Sequence, residues 1–345
     1  MKFGLFGGAT AKGGGHGTPD GGARLGYSRS DDSHGYGQLI EGVVKAERLG
    51  FHSIFLVEHH FTGSAQISAS LNLLAFIAAR TTTIRLGTAV VVVPWHNPVL
   101  LAEQAATVDV LSNGRLDFGV GKGYRPNEFE RFCIPLEEAT ERFEESMHLI
   151  RQALTSDERF SHHSARWNFE DIIVEPPPVQ RPHPPLWLAA GRPESLRKAA
   201  EEGYSLLLDQ FATFDLTLER LRIYREAVEA AGRKFDPMSV AVARGIAIVR
   251  NEEERERAYE RRIQALSRMN TLATSADGSY VSSMASDPNL RQAAENGTLI
   301  GTPEEIIEKI QRLRDGGVAY ILFSSAYATP GLMQSFAEEI MPAFA

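Results

Sequence analysis

Ile84-Arg85-Leu86-Gly87-Thr88-Ala89-Val90-Val91-Val92-Val93 is a mainly apolar run rich in β-branched residues; a helical period over 98–112 follows, then a second mainly apolar run, Arg115-Leu116-Asp117-Phe118-Gly119-Val120. Apolar runs without polar alternation suit strands covered on both faces, and a helix-length segment between them is long enough to return the chain for parallel pairing. The stretch therefore reads as a strand, a crossover helix and a parallel strand. The same rhythm extends in both directions. Upstream lie strands at 3–6 and 53–57, with a helix between them whose buried face is Leu39, Val43, Ala46 and Leu49, ending at Gly50, and a helix at 68–80. Downstream come a helix at 137–154 with the stripe Phe143, Met147, Ile150 and Leu154, and strands at 186–190, 205–208, 239–249 and 318–323. Helices at 193–202 and 215–231 separate the middle ones, and Thr302-Pro303-Glu304-Glu305 opens another with a capping hydroxyl, a first-turn proline and acids near the positive helix end.

Eight strands alternating with helices imply an α/β fold, a (β/α)8 TIM barrel occupying the whole chain as one domain, because eight is the number at which a parallel sheet closes. Such a barrel needs roughly 250 residues, fewer than the 345 present. The surplus falls in insertions at about 9–37, 155–185 and 265–300. The first is rich in glycine and follows a strand, so it is expected at the catalytic rim as a candidate lid; the proline-rich 176–185 is expected to be an extended connector.

Composition narrows the function. With 43% apolar and 23% charged residues the chain can build a large core. A net charge of −8 removes the basic surface that a nucleic-acid partner requires. The single cysteine, Cys133, rules out an internal disulfide and points to a reducing, cytoplasmic setting. The first residues run into Gly7 and Gly8 before a signal-peptide core develops, and no apolar stretch is long enough for a membrane span.

Chemistry is expected where strands end. Glu58-His59-His60 follows the strand at 53–57, at the end where parallel barrels place reactive groups. Histidine exchanges protons near neutral pH or donates to a developing anion. Adjacent residues of extended chain face opposite ways, so these three make a poor metal site, and none is expected. Gly121-Lys122-Gly123-Tyr124 offers a cation in an opening free of large side chains, but matches neither a phosphate-binding P-loop nor a dinucleotide fingerprint. Gly191-Arg192-Pro193-Glu194-Ser195 opens a helix, where free backbone N–H groups suit a phosphate. Phe6, Trp95, Tyr124 and Phe211 are candidates for an apolar substrate wall.

Leu56 to Phe61, Leu86 to Val90 with Val93-Pro94 and Asn97-Pro98-Val99, Gly114 to Gly123, Leu188 to Ser195, Gly301 to Glu305 and the closing Ile340-Met341-Pro342 together resemble the bacterial luciferase-like flavin monooxygenases, in order and spacing, over nearly the whole chain. The resemblance implies a barrel that holds reduced FMN at the C-terminal strand ends, uses O2 to oxidise a small organic substrate, and receives its flavin from a separate NAD(P)H-dependent flavin reductase, usually as a homodimer. It implies that His59 is catalytic, with His60 and Glu58 orienting it. Ala89 and Val90 match the pair that forms a non-prolyl cis peptide beneath the flavin ring. Lys122, with Gly123 and Tyr124 beside it, matches the phosphate-binding segment, and Ser195 supplies a phosphate hydroxyl with Gly191 and Arg192 next to it. Gly121 stands where luciferase has a cysteine, which implies extra room at that point and a non-luminous monooxygenase. The alternatives are a 5-deazaflavin coenzyme transferring hydride on the same fold, and a non-catalytic partner subunit.

Overall fold

The computed structural model describes residues 1–8, 34–61, 67–272, 289–324, 329 and 331–345. In chain order its strands are β1 (Lys2–Gly7), β2 (Ser53–Leu56), β3 (Arg85–Thr88), β4 (Val91–Val92), β5 (Leu116–Gly121), β6 (Phe160–His163), β7 (Asn168–Ile172), β8 (Leu186–Ala189), β9 (Ser205–Leu208), β10 (Val240–Ile248), β11 (Leu299–Gly301) and β12 (Tyr320–Ser324). The helices are α1 (His34–Arg48), α2 (Ser70–Ala78), α3 (Pro98–Leu111), α4 (Pro126–Arg131), α5 (Ala139–Thr155), α6 (Pro193–Glu201), α7 (Phe214–Ala230), α8 (Glu252–Leu272), α9 (Leu290–Gly297), α10 (Pro303–Asp315) and α11 (Leu332–Ser335).

Each apolar run read as a strand pairs in parallel with its neighbour. The order β1-β2-β3-β5-β8-β9-β10-β12 returns to β1 through the register Lys2 to Tyr320, closing an eight-stranded (β/α)8 barrel. One predicted strand is broken. The run 84–93 forms β3, passes through a cis peptide between Ala89 and Val90, re-pairs with β5 as β4, and turns into a short 3-10 helix at Val93–Trp95. The change of direction lies inside a uniformly apolar run, so hydrophobic periodicity carries no mark of it.

Helix starts follow local chemistry. Asn97 accepts the N–H groups of Val99 and Leu100 at the head of α3, Thr213 caps α7, and Thr302 with Glu305 forms a reciprocal capping box on α10. The helices bury one stripe each against the outer face of the barrel, with Leu39, Val43 and Ala46 of α1 and Phe143, Met147 and Ile150 of α5 in the main core. Full burial of a large apolar side chain contributes roughly 1.5–3 kcal/mol. Inside the barrel Phe55, Trp187, Leu207, Ala241, Tyr320 and Leu322 pack together. At the N-terminal strand ends Arg85 grips Asp117 through two bonds of 2.8 Å, the Trp187 indole donates to Asp117 at 3.2 Å, and Tyr320 bonds Ser53.

The insertions hold structure that the sequence did not announce. Within 155–185, β6 and β7 form an antiparallel hairpin. The proline-rich connector is tied to the barrel by Asp109, which accepts from the backbone N–H groups of Val179 and Gln180 and from the Gln180 amide, at 2.7–2.9 Å. Residues 9–33 of the expected lid lie outside the described residues, as do 273–288. The last crossover contains the long helix α8, then α9 and β11, which pairs with the C-terminal part of β10.

Candidate active site

A cavity of about 1330 Å³ opens among residues at the C-terminal ends of the barrel strands. His59, just past β2, lines it. Its Nδ1 lies 3.3 Å from Glu128 Oε1 of α4, an ion-pair contact that leaves the buried nitrogen without a full hydrogen bond. Burial holds the His59 imidazole below its ordinary value, with the Arg125 guanidinium adding to the effect and Glu128 opposing it. Glu128 is itself buried, accepts the His60 backbone N–H at 2.9 Å, and faces Arg125 Nη1 at 3.6 Å.

Glu58 and His60 do not orient His59 as the resemblance implied. Both imidazoles, His60 and His96, meet Glu58 Oε1 through Nε2 at 2.9 Å, and Glu58 Oε2 accepts the Val92 N–H at 2.9 Å. Burial would push the Glu58 carboxyl up, yet these hydrogen bonds, led by those from His60 and His96, hold it below the ordinary carboxylate value. The His60 ring faces away from the cavity, into Trp95 and Phe132, with centroids 5.3 and 4.8 Å away. Trp95 belongs to that cluster and does not line the cavity; Phe6, Tyr124 and Phe211 do. Glu58 thus braces β4, next to the cis bond, while Glu128 is the carboxylate at His59. Neither Glu128, Arg125 nor His96 was singled out from sequence, because each reaches the site from a loop or short helix whose approach only the fold defines.

Ala89 and Val90 line the cavity across the cis peptide. Room at Gly121 is not left open, contrary to expectation. A Cβ there would fall 2.5 Å from Val90 Cγ2, so the Val90 side chain fills the space a larger residue would use.

Cations gather on one side of the cavity. Lys122 Nζ donates to Thr140 Oγ1 at 3.2 Å, and burial holds its ammonium below the ordinary lysine value, with Lys198 and Arg192 nearby adding to the effect against Glu144. Lys122, Arg192, Ser195 and Lys198 all line the cavity, together with Gly123 and Tyr124; Gly191 is buried and does not. Arg192 stands at the N-cap of α6 without a side-chain cap, which leaves first-turn N–H groups for an anion. Lys198 pairs with Glu144. Among the described residues no three His, Cys, Asp or Glu side chains are grouped to hold a metal ion, and no helix is long and apolar enough to cross a membrane.

Residues 1–320 match the family model described as luciferase-like monooxygenase. The chain belongs to the luciferase-like monooxygenase family. This family member is 33% identical over 188 residues to the oxygenase component of flavin-dependent trigonelline monooxygenase from Acinetobacter baylyi, covering 54% of this chain and 52% of that protein. It is 28% identical to F420-dependent glucose-6-phosphate dehydrogenase of Kineococcus radiotolerans, over 95% and 98% of the two chains. For the Acinetobacter protein and for the uncharacterized protein y4vJ of Sinorhizobium fredii, the luciferase-like chain spans 52% and 63% of the relative's length. Among solved structures it resembles the monooxygenase RslO1 from Streptomyces bottropensis, with a TM-score of 0.79, 27% identity and complete coverage of both chains.

Proposed function

We propose that the chain is a non-luminous, FMN-dependent monooxygenase acting on a small organic substrate. The observation that supports this reading best is the joining of three elements in one cavity: the His59 imidazole, the cis Ala89–Val90 peptide, and the cationic side made by Lys122, Arg192, Ser195 and the start of α6. A flat ring can rest on a floor of small side chains, and a terminal phosphate suits the cations and the helix N–H groups. When bound, the reduced flavin supplies the electrons that activate O2.

The chain's own residues do the remaining work. Lys122 and Ser195 bind and orient the phosphate. Glu128 favours the proton on Nδ1 of His59, leaving Nε2 to accept or return a proton at the reacting centre. Tyr124, Phe6 and Phe211 exclude water from the cavity. A separate NAD(P)H-dependent reductase supplies the reduced flavin. A homodimer is supported by the apolar face of α2 and α3, where Phe76, Leu100 and Leu111 stand 54%, 53% and 60% exposed.

A hydride-transferring enzyme using a 5-deazaflavin is the second reading, favoured by the near-complete coverage of the F420-dependent relative. Fluorescence titration with FMN and with the deazaflavin, followed by oxygen-electrode measurements with chemically reduced FMN, separates the two. We expect FMN to bind and oxygen to be consumed, with Lys122→Ala and Ser195→Ala each losing about tenfold in affinity, the worth of one charge-assisted hydrogen bond. Unchanged affinity in both variants removes the phosphate assignment, and tight deazaflavin binding without oxygen uptake favours the second reading.

A further inference from the structure

Two strands round the ring from β8, the cavity wall formed by β10 and α8 carries positive charge that the flavin reading does not use. Two arginines at the start of α8 are neutralised: Arg255 pairs with Glu305 at 2.9 Å and Arg257 pairs with Glu253. Arg250, also in the cavity wall, pairs with Glu339, and Glu254 accepts the Arg250 backbone N–H at 2.8 Å. Asp209 at the end of β9 is held by Arg220 at 2.7 Å.

Arg262 is different. Its guanidinium donates only to uncharged oxygens, Nη1 to the Gln210 side chain at 2.9 Å and Nη2 to the Gln210 carbonyl, while its Nε is buried without a partner. No carboxylate pairs with it among the described residues. Burial pulls its value down to about 10, with Asp209 alone opposing, so it stays cationic at neutral pH. The guanidinium carbon sits 5.2 Å from the centre of the Phe211 ring. Gly245 also abuts it, where a Cβ would lie 3.4 Å from Nη1, so no side chain from that position covers the guanidinium. Gly245, Phe211, Arg262 and the neighbouring Arg261 all line that cavity. Arg261 is exposed and makes no ion pair among the described residues.

A guanidinium with no carboxylate partner among the described residues, in a ligand cavity and beside an aromatic face, is suited to an anion reached by the Nη hydrogens that Gln210 does not use. The cations at Lys122 and Arg192 serve the flavin phosphate on the proposed function, on which this inference rests, so the second group is left for the other ligand. We propose that the organic substrate carries a carboxylate, received by Arg262 and Arg261, with its adjoining apolar part against Phe211.

The test uses the FMN-loaded protein and calorimetric titration with benzoate, phenylacetate and hexanoate, each beside its neutral primary amide. We expect one or more of the carboxylates to bind at least tenfold more tightly than its amide. Arg262→Gln abolishes that preference with FMN affinity within about twofold of wild type, Arg262→Lys keeps part of it, and the exposed Arg261→Gln weakens it about threefold. Equal binding of acids and amides, no binding by either set, or a preference that survives Arg262→Gln overturns the proposal. FMN affinity is read separately by fluorescence. A chain that fails to take FMN yet keeps an Arg262-dependent preference for carboxylates loses the flavin reading and retains the anion site.

Discussion

Replacing Glu128 with Gln removes one charge beside His59 while keeping an oxygen that can accept the His60 N–H. Glu128 Oε1 stands 3.3 Å from His59 Nδ1. At that separation, with an effective dielectric of about 20, the carboxylate favours a protonated imidazole by about 5 kcal/mol. Arg125 lies 3.6 Å from the same oxygen and itself lowers the imidazole, so removing the carboxylate leaves the guanidinium's effect on His59 uncompensated. Losing the carboxylate therefore lowers the proton affinity of His59, by at most the Coulomb figure above. The direction is fixed: burial and Arg125 already lower the imidazole, and without Glu128 the opposing charge left is Glu58, which acts more weakly. Proton–nitrogen correlation spectra of the imidazoles across pH, with His59 assigned by its disappearance in His59→Gln, measure the midpoint directly. It should fall in Glu128→Gln, and the acid limb of the turnover profile should move to lower pH with it. A midpoint that stays in place or rises refutes the role given to Glu128.

Gly121→Ala should destabilise the fold by about 1–3 kcal/mol through overpacking against Val90, and Val90→Ala in the same chain should restore most of the loss; urea unfolding midpoints read both. Glu58 has its carboxyl held below the ordinary value, so it contributes stability above the ordinary carboxylate range, and that contribution is lost as pH falls through the lowered folded value. Glu58→Gln should therefore cost roughly 1–3 kcal/mol at neutral pH and flatten the acid side of a thermal-unfolding series; an unchanged slope speaks against the assignment. Leu111→Asp together with Phe76→Asp should convert a dimer to a monomer in size-exclusion chromatography with light scattering, and a wild type already monomeric at micromolar concentration rejects the homodimer.

The barrel was readable because strands buried on both faces are mainly apolar, and runs such as 115–120 and 205–208 stand out against the amphipathic helices between them. The α8 segment was not readable as a helix: Glu252-Glu253-Glu254-Arg255-Glu256-Arg257 offers charge where an apolar stripe would be sought, and its stability comes from ion pairs and capping as much as from burial. The β6-β7 hairpin was hidden for a related reason, since Ser161, His163, Glu170 and Asp171 are exposed and no alternation marks it. In the site, position along the strand was enough to find His59 and Lys122. Glu128, Arg262 and the Val90 contact with Gly121 depend on which loop or helix leans over which strand end, and local sequence holds no record of that.

The lower end of the barrel is stoppered by Arg85, Asp117, Trp187 and Tyr320, so among the described residues the cavity is closed on the side opposite the C-terminal strand ends. On the proposed function, a molecule lying over a flat cofactor on the 89–90 floor stands between that cofactor and the opening. An excess of that second molecule should then slow exchange of the cofactor beneath it.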